Sequence, residues 1–151
     1  MKIAFEVTFI DKFRVAFNNI KSFLYRNDYS IEFYIASGYS KKDILRILRN
    51  NSIKNDIFSD IYSIQDDLDL NNSENSIGVN YAGRKEYPND LWNSKKGDFC
   101  NSNNIDLIFD DNIENRKYFQ KTKQLLLKKA DTEFEIYAKF FRWFFTSKIK
   151  N

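Results

Sequence analysis

A chain of 151 residues with 42% hydrophobic and 30% charged side chains is long enough for one cored domain and too apolar to be disordered. Its net charge of +3 compels no nucleic-acid partner, and the absence of histidine removes every His-based triad, His-liganded zinc site and imidazole base. Cys100 is the only cysteine, so no intrachain disulfide forms, and any chemistry must run on carboxylates, Lys, Ser/Thr or a bound metal.

Residues 3–9 are apolar and β-prone, and read as a strand with Glu6 and Thr8 embedded in it. Over residues 12–25, Phe13, Phe17, Ile20 and Leu24 fall on one helical face, which Asn27-Asp28 ends. Residues 31–36 form a second strand ending at Ser37-Gly38. Ser40 then caps a helix carrying Ile44, Leu45, Ile47 and Leu48, with Asp43 completing a weak capping box. Residues 57–64 alternate as a third strand. Strand, helix, strand, helix, strand predicts a parallel α/β sheet.

Residues 66–75 are acidic and polar and read as a loop. Asp67, Asp69 and Asn71 have the first spacings of an EF-hand, but Asn72 replaces its glycine and Gly78 its last ligand, so a solvated loop is the reading there. Residues 77–88 fit a hairpin, a small lid or an ordered loop equally. A helix after Pro88 passes through Lys95-Lys96 to Asn103-Asn104. Residues 105–109 are the next strand, and Asp111 or Asn112 caps a helix over 113–129.

The last segment, 131–148, reads as an aromatic helix with Phe134, Tyr137, Phe141, Phe144 and Phe145 on one face; Lys139, Arg142, Lys148 and Lys150 add positive charge. It fits packing on the sheet, a homodimer or partner interface, or a membrane-surface helix; residues 133–136 fit a short final strand instead. No apolar run approaches a membrane span, and Glu6 interrupts the N-terminus before a signal-peptide core forms. The expectation is a soluble cytoplasmic protein without nucleic-acid or membrane partners.

The most informative stretch is Ile105-Asp106-Leu107-Ile108-Phe109-Asp110-Asp111-Asn112, an apolar strand ending in two adjacent carboxylates. In open α/β sheets ligands bind beyond the carboxyl ends of the strands. Two neighbouring acids there call for a cation or hydrogen-bond donors, and a hard divalent metal with oxygen ligands suits them. The alternative is a plain turn and helix cap.

Four features follow in order: Glu6-Val7-Thr8 on the first strand, Ser37 ending the second, a lysine before the fourth, and Asp110-Asp111 ending the fourth. This order resembles the haloacid dehalogenase-like (HAD) superfamily, over roughly residues 2–130. Lys96-Gly97-Asp98-Phe99-Cys100 leading into the acidic strand looks like the small HAD-like phosphatases and nucleotidases. The resemblance implies one Rossmann-like α/β domain, a parallel sheet flanked by helices with at most a small cap. It implies a Mg²⁺-dependent pocket for a small phosphorylated metabolite or nucleotide. In the family an Asp attacks the phosphoryl group, Ser/Thr and Lys hold its oxygens, and an acidic pair binds the metal. Carried over, Glu6 takes the nucleophile position and Thr8 that of the general acid/base, with Asp11 as a further carboxylate. Ser37, Gly38 and Lys96 or Lys85 take phosphate, and Glu6, Asp110 and Asp111 the metal. Glu6 is one methylene longer than the family's Asp, Thr8 cannot serve as general acid/base at neutral pH, and the motif's Gly-Thr is missing. The expectation is therefore a weak or inactive phosphohydrolase kept as a binding or regulatory module. An active phosphatase is the alternative, and a protein-interaction module working through the C-terminal helix is a third reading.

Overall fold

The computed structural model describes residues 1–149, so Lys150, counted above among the charges of the last helix, lies outside it. The sheet is built around β1 (Lys2–Phe5), whose Ile3, Ala4 and Phe5 are fully buried, as a strand covered on both faces requires. β1 pairs in parallel with β2 (Glu32–Ser37) on one side and with β6 (Leu107–Asp110) on the other. β3 (Phe58–Ser63) and β7 (Lys123–Leu126) are the edges, giving the order β3-β2-β1-β6-β7 with every pairing parallel. This is an α/β architecture with a five-stranded parallel sheet flanked by helices, consistent with a Rossmann-like fold.

The helices are α1 (Val7–Lys12), α2 (Arg14–Arg26), α3 (Lys41–Asn50), α4 (Ile64–Asn71), α5 (Asn89–Ser102) and α6 (Glu133–Ile149). Strand side chains alternate between faces. Ile3, Phe5, Phe33, Ile35, Leu107 and Phe109 form one core with α1, α2, α3 and α6. Ala4, Tyr34, Ala36 and Ile108 face the other way and meet Phe99 and Cys100 of α5. The stacked rings of Phe5, Phe9 and Phe109 bind β1, α1 and β6 into one block.

Several elements differ from the expectations above. The first strand stops at Phe5: Glu6 keeps an extended backbone and its side chain accepts from Val7 N, so it caps α1 and residues 7–9 are helical. The helix expected over 12–25 is α2, with Phe13 at its N-cap and Phe17, Ile20 and Leu24 buried, and the separate short helix α1 precedes it. Residues 66–71, read as a loop, belong to α4, where Ser63 caps the helix and Asp66 and Asp67 sit favourably in its first turn. Residues 77–88 contain the two-stranded hairpin of β4 (Gly78–Val79) and β5 (Lys85–Glu86).

The helix expected over 113–129 is replaced by a 3-10 turn, Ile113–Tyr118, capped by Asn112, and by strand β7. Pairing with β6 and burial of Gln124 and Leu125 outweigh the helix propensity of this Lys-Gln-Leu-Leu-Leu segment. The last segment is a helix rather than a strand, and it packs on the sheet side, with the Phe140 ring 6.3 Å from that of Phe109. Its buried face is Ile136, Phe140 and Phe144, a strict i, i+4 stripe; of the expected aromatic face, Phe134 and Phe145 are 79% and 53% exposed. Among the described residues no helix is long and apolar enough to cross a membrane.

Candidate functional site

Sequential strands run outward from β1 through β2 to β3, and the chain then returns to the other side of β1 for β6 and β7. The order therefore reverses between β1 and β6, and at such a switch point the loops beyond the carboxyl ends diverge and leave a crevice. Glu6 follows the last residue of β1, Ser37 ends β2 and Asp110 ends β6. All three are buried.

Lys96 of α5 enters this crevice from the opposite layer and is 4% exposed. Its Nζ donates to Glu6 Oε2 at 2.5 Å and to Asp110 Oδ1 at 2.9 Å. Glu6 Oε1 accepts from the Ser37 hydroxyl and from Val7 N at 3.0 Å. Asp110 Oδ2 accepts from Asn115 Nδ2 at 2.8 Å and Gln124 Nε2 at 2.9 Å. Burial alone would lower the Lys96 pKa, but the charges of Glu6 and then Asp110 outweigh it and hold the ammonium above the ordinary lysine value. Cys100, one turn further along α5, is a buried thiol whose pKa burial pushes up to about 12, which keeps it unreactive.

Lys96 reaches the crevice because α5 lies close to the 3-10 turn. A Cβ on Gly97 would stand 2.4 Å from Tyr118 Cβ and 2.8 Å from Tyr118 O, so only glycine permits this approach. Gly38 has a matching role, since a Cβ there would stand 2.9 Å from Trp92 Cζ2.

Above the charged cluster opens a cleft of about 370 Å³, lined among others by Glu6, Thr8, Gly38, Lys96 and Asp111. Ser37 and Asp110 support it from beneath. Asp11 lies elsewhere, exposed and accepting from Asn51 Nδ2 at 2.9 Å. Lys85 is on the hairpin, bonded to the Ser73 hydroxyl, and does not line the cleft. Lys95 pairs with Asp67 at 3.3 Å. Thus Glu6, Ser37, Lys96 and Asp110 converge, Thr8, Gly38 and Asp111 border them, and Asp11 and Lys85 stay apart.

The three acids proposed for a metal are not equivalent. Asp110 is fully buried, with Oδ2 taking two amide donors and Oδ1 the ammonium. Glu6 Oε2 takes only the ammonium and keeps one lone pair, and Glu6 and the exposed Asp111 both line the cleft. Among the described residues no three acidic or thiol side chains converge. Mg²⁺ is commonly held by one or two carboxylates with water and phosphate oxygens, and Glu6 with Asp111 fits that share. Asp110, fully buried and outside the cleft lining, does not fit as a direct ligand.

Sequence reading missed Asn115 and Gln124, which hold Asp110, and the cleft residues Asn80, Arg84 and Trp92. Gln124 was hidden by the misread strand β7, and an amide in a polar turn such as Asn115 carries no signal of its own. Arg84 adjoins Lys85 in the segment singled out for a phosphate ligand. Its guanidinium meets Asp43 Oδ2 at 2.5 Å and ties the hairpin to α3, while Ser40 and then Arg84 hold the Asp43 carboxyl below the ordinary range.

The chain matches no protein-family model, no curated protein and no solved structure.

Proposed function

We propose that this chain is a HAD-like domain whose cleft binds a small phosphorylated ligand with Mg²⁺ and turns it over slowly or not at all. The convergence of Glu6, Ser37 and Lys96 beside the acidic end of β6, in the order the family resemblance requires, supports the assignment. The hairpin of β4 and β5, which brings Asn80 and Arg84 to the cleft, is the small cap. Glu6 and Asp111 are the residues that would hold the metal, whose charge offsets that of a phosphoryl group beside them. Lys96 supplies the fixed positive charge, and Ser37 the hydroxyl beneath it.

One observation carries the reading of low turnover. Both Glu6 oxygens already accept hydrogen bonds that fix their direction, Oε1 from Ser37 and Val7 N, and Oε2 from Lys96. A nucleophile needs an oxygen aimed at phosphorus, and a misplacement of about 1 Å costs on the order of a hundredfold in rate. Thr8 borders the cleft where the general acid/base is expected, and a hydroxyl of ordinary acidity does not serve. An active phosphatase is the second reading, favoured by the one lone pair left on Glu6 Oε2.

The test is phosphate release from a panel of small phosphoesters with Mg²⁺, alongside the Mg²⁺-dependent rise in Tm, for the native chain, Glu6→Asp and Asp111→Asn. A Tm rise that Asp111→Asn abolishes, with little or no release by the native chain, is expected. Vigorous native turnover lost in Asp111→Asn would instead establish the active phosphatase. No Tm response at millimolar Mg²⁺ would remove the metal from the proposal.

A further inference from the structure

The residues lining the cleft divide by chemistry. Glu6, Lys96 and Asp111 are ionic, whereas Tyr39, Ile64 and Trp92 are apolar and include two aromatic rings. A bare phosphate has no use for two aromatic rings, which offer flat apolar faces for the rest of a ligand. Trp92 is also fixed. Its indole packs on the Ile64, Leu68 and Tyr87 cluster, and its Cζ2 lies against Gly38, the residue after Ser37. This brings an aromatic ring beside the strand end that holds Glu6. Tyr39, 40% exposed, follows Gly38 directly.

Two amides in the same lining offer complementary atoms. Gln65 Nε2 is spent on Asp69 and on the Lys85 carbonyl, so the atom Gln65 has to offer is its acceptor Oε1. Asn80 Oδ1 accepts from Ala82 N and Arg84 N, so the atom Asn80 has to offer is its donor Nδ2. One acceptor and one donor next to aromatic faces suit the edge of a nitrogen heterocycle. The volume of about 370 Å³ lies at the small end of the range for ligand sites, enough for one ring, one sugar and one phosphate.

We infer that the ligand is a nucleoside monophosphate, with its base against Trp92 and Tyr39, its base edge read by Gln65 and Asn80, and its phosphate toward Lys96. This rests on the phosphate pocket proposed above and names the class of molecule that fills it. Stacking of a base on one aromatic side chain supplies roughly a tenfold or larger gain in affinity.

Binding of AMP, UMP, ribose 5-phosphate and adenosine, each with Mg²⁺, is measured by calorimetry on the unaltered chain. Trp143→Phe then leaves Trp92 as the sole indole, and its fluorescence is followed with the same compounds. AMP or UMP should bind at least about tenfold more tightly than ribose 5-phosphate and quench Trp92. Trp92→Ala should erase that preference and Trp92→Phe should keep most of it. Equal affinity for the nucleotides and ribose 5-phosphate would overturn the ring subsite and leave the phosphate pocket standing. Adenosine binding as tightly as AMP, with quenching, would keep the ring subsite and overturn the phosphate pocket. Binding of none of the four would overturn both.

Discussion

Lys96 Nζ stands 2.5 Å from Glu6 Oε2, an ion pair between residues 90 apart in sequence that pins α5 to the end of the central strand. The same ammonium reaches Asp110, so one cation is shared by two buried carboxylates at the ends of adjacent strands. Removing it leaves both acids buried without a cation. Lys96→Met should therefore cost about 3–5 kcal/mol, the range for breaking a buried pair by deleting one member. Adding Glu6→Gln should return part of that loss, and urea unfolding of the two variants reads the difference.

The pH response of the same pair has a definite sign. The Lys96 pKa is raised in the folded state, so its contribution is complete below the ordinary lysine value near 10.5 and is lost as the pH climbs through the folded value. Urea midpoints of the native chain should fall above about pH 10.5 relative to Lys96→Met. No difference between the two profiles in that window would remove the ion pair from the stability of the fold.

Gly97 tests whether the approach of α5 to the 3-10 turn positions Lys96. Gly97→Ala sets a methyl 2.4 Å from Tyr118 Cβ, so the helix must move away. A loss of about 1–3 kcal/mol is expected, the usual cost of overpacking. Ala gains helix propensity over Gly by about 1 kcal/mol, so an unchanged or raised Tm would mean that the turn yields freely.

The C-terminal helix separates packing from surface. Phe140→Ala removes a fully buried ring and should cost about 3–5 kcal/mol. Phe134→Ala, at a site 79% exposed, should stay within about 0.5 kcal/mol. Phe134→Asp with Phe145→Asp also probes self-association: an elution volume identical to that of the native chain in size-exclusion chromatography would argue against a dimer through this face.

The parts of the fold readable from sequence are those written in short-range chemistry. Ser40 with Asp43 marks a helix start by hydrogen bonding within four residues, and Leu107-Ile108-Phe109 mark a buried strand by an apolar run. The convergence of Glu6, Ser37 and Asp110 was legible because each sits at or beside a strand end in a parallel sheet, and Lys96 reaches them from the middle of α5. The failures have physical causes. Glu6 ends its strand by capping α1, a choice that the β-prone Val7-Thr8-Phe9 conceals. β7 is held by a pairing with β6 that no local propensity reports. The aromatic density of α6 gave several equally apolar faces, and the long-range packing of Phe140 on Phe109 and of Phe144 on Phe23 and Tyr29 selects the stripe of Ile136, Phe140 and Phe144. The cleft wall of Tyr39, Gln65, Asn80 and Trp92 comes from four separate segments and has no linear signature.

The central position of β1 also bears on how the protein is made. Its first neighbour, β2, emerges early, but Lys2 N must wait for Asp106, 104 residues later, before its other edge is closed. During synthesis the N-terminal half thus carries an open, apolar strand edge, and the carboxylate of Glu6 has no ammonium to meet until Lys96 leaves the ribosome. Such late, long-range closure slows folding and exposes the nascent chain to edge-to-edge aggregation. A chain cut before β6 should therefore collect in the insoluble fraction, and a holding chaperone that shields Ile3, Ala4 and Phe5 should raise the yield of the full-length protein.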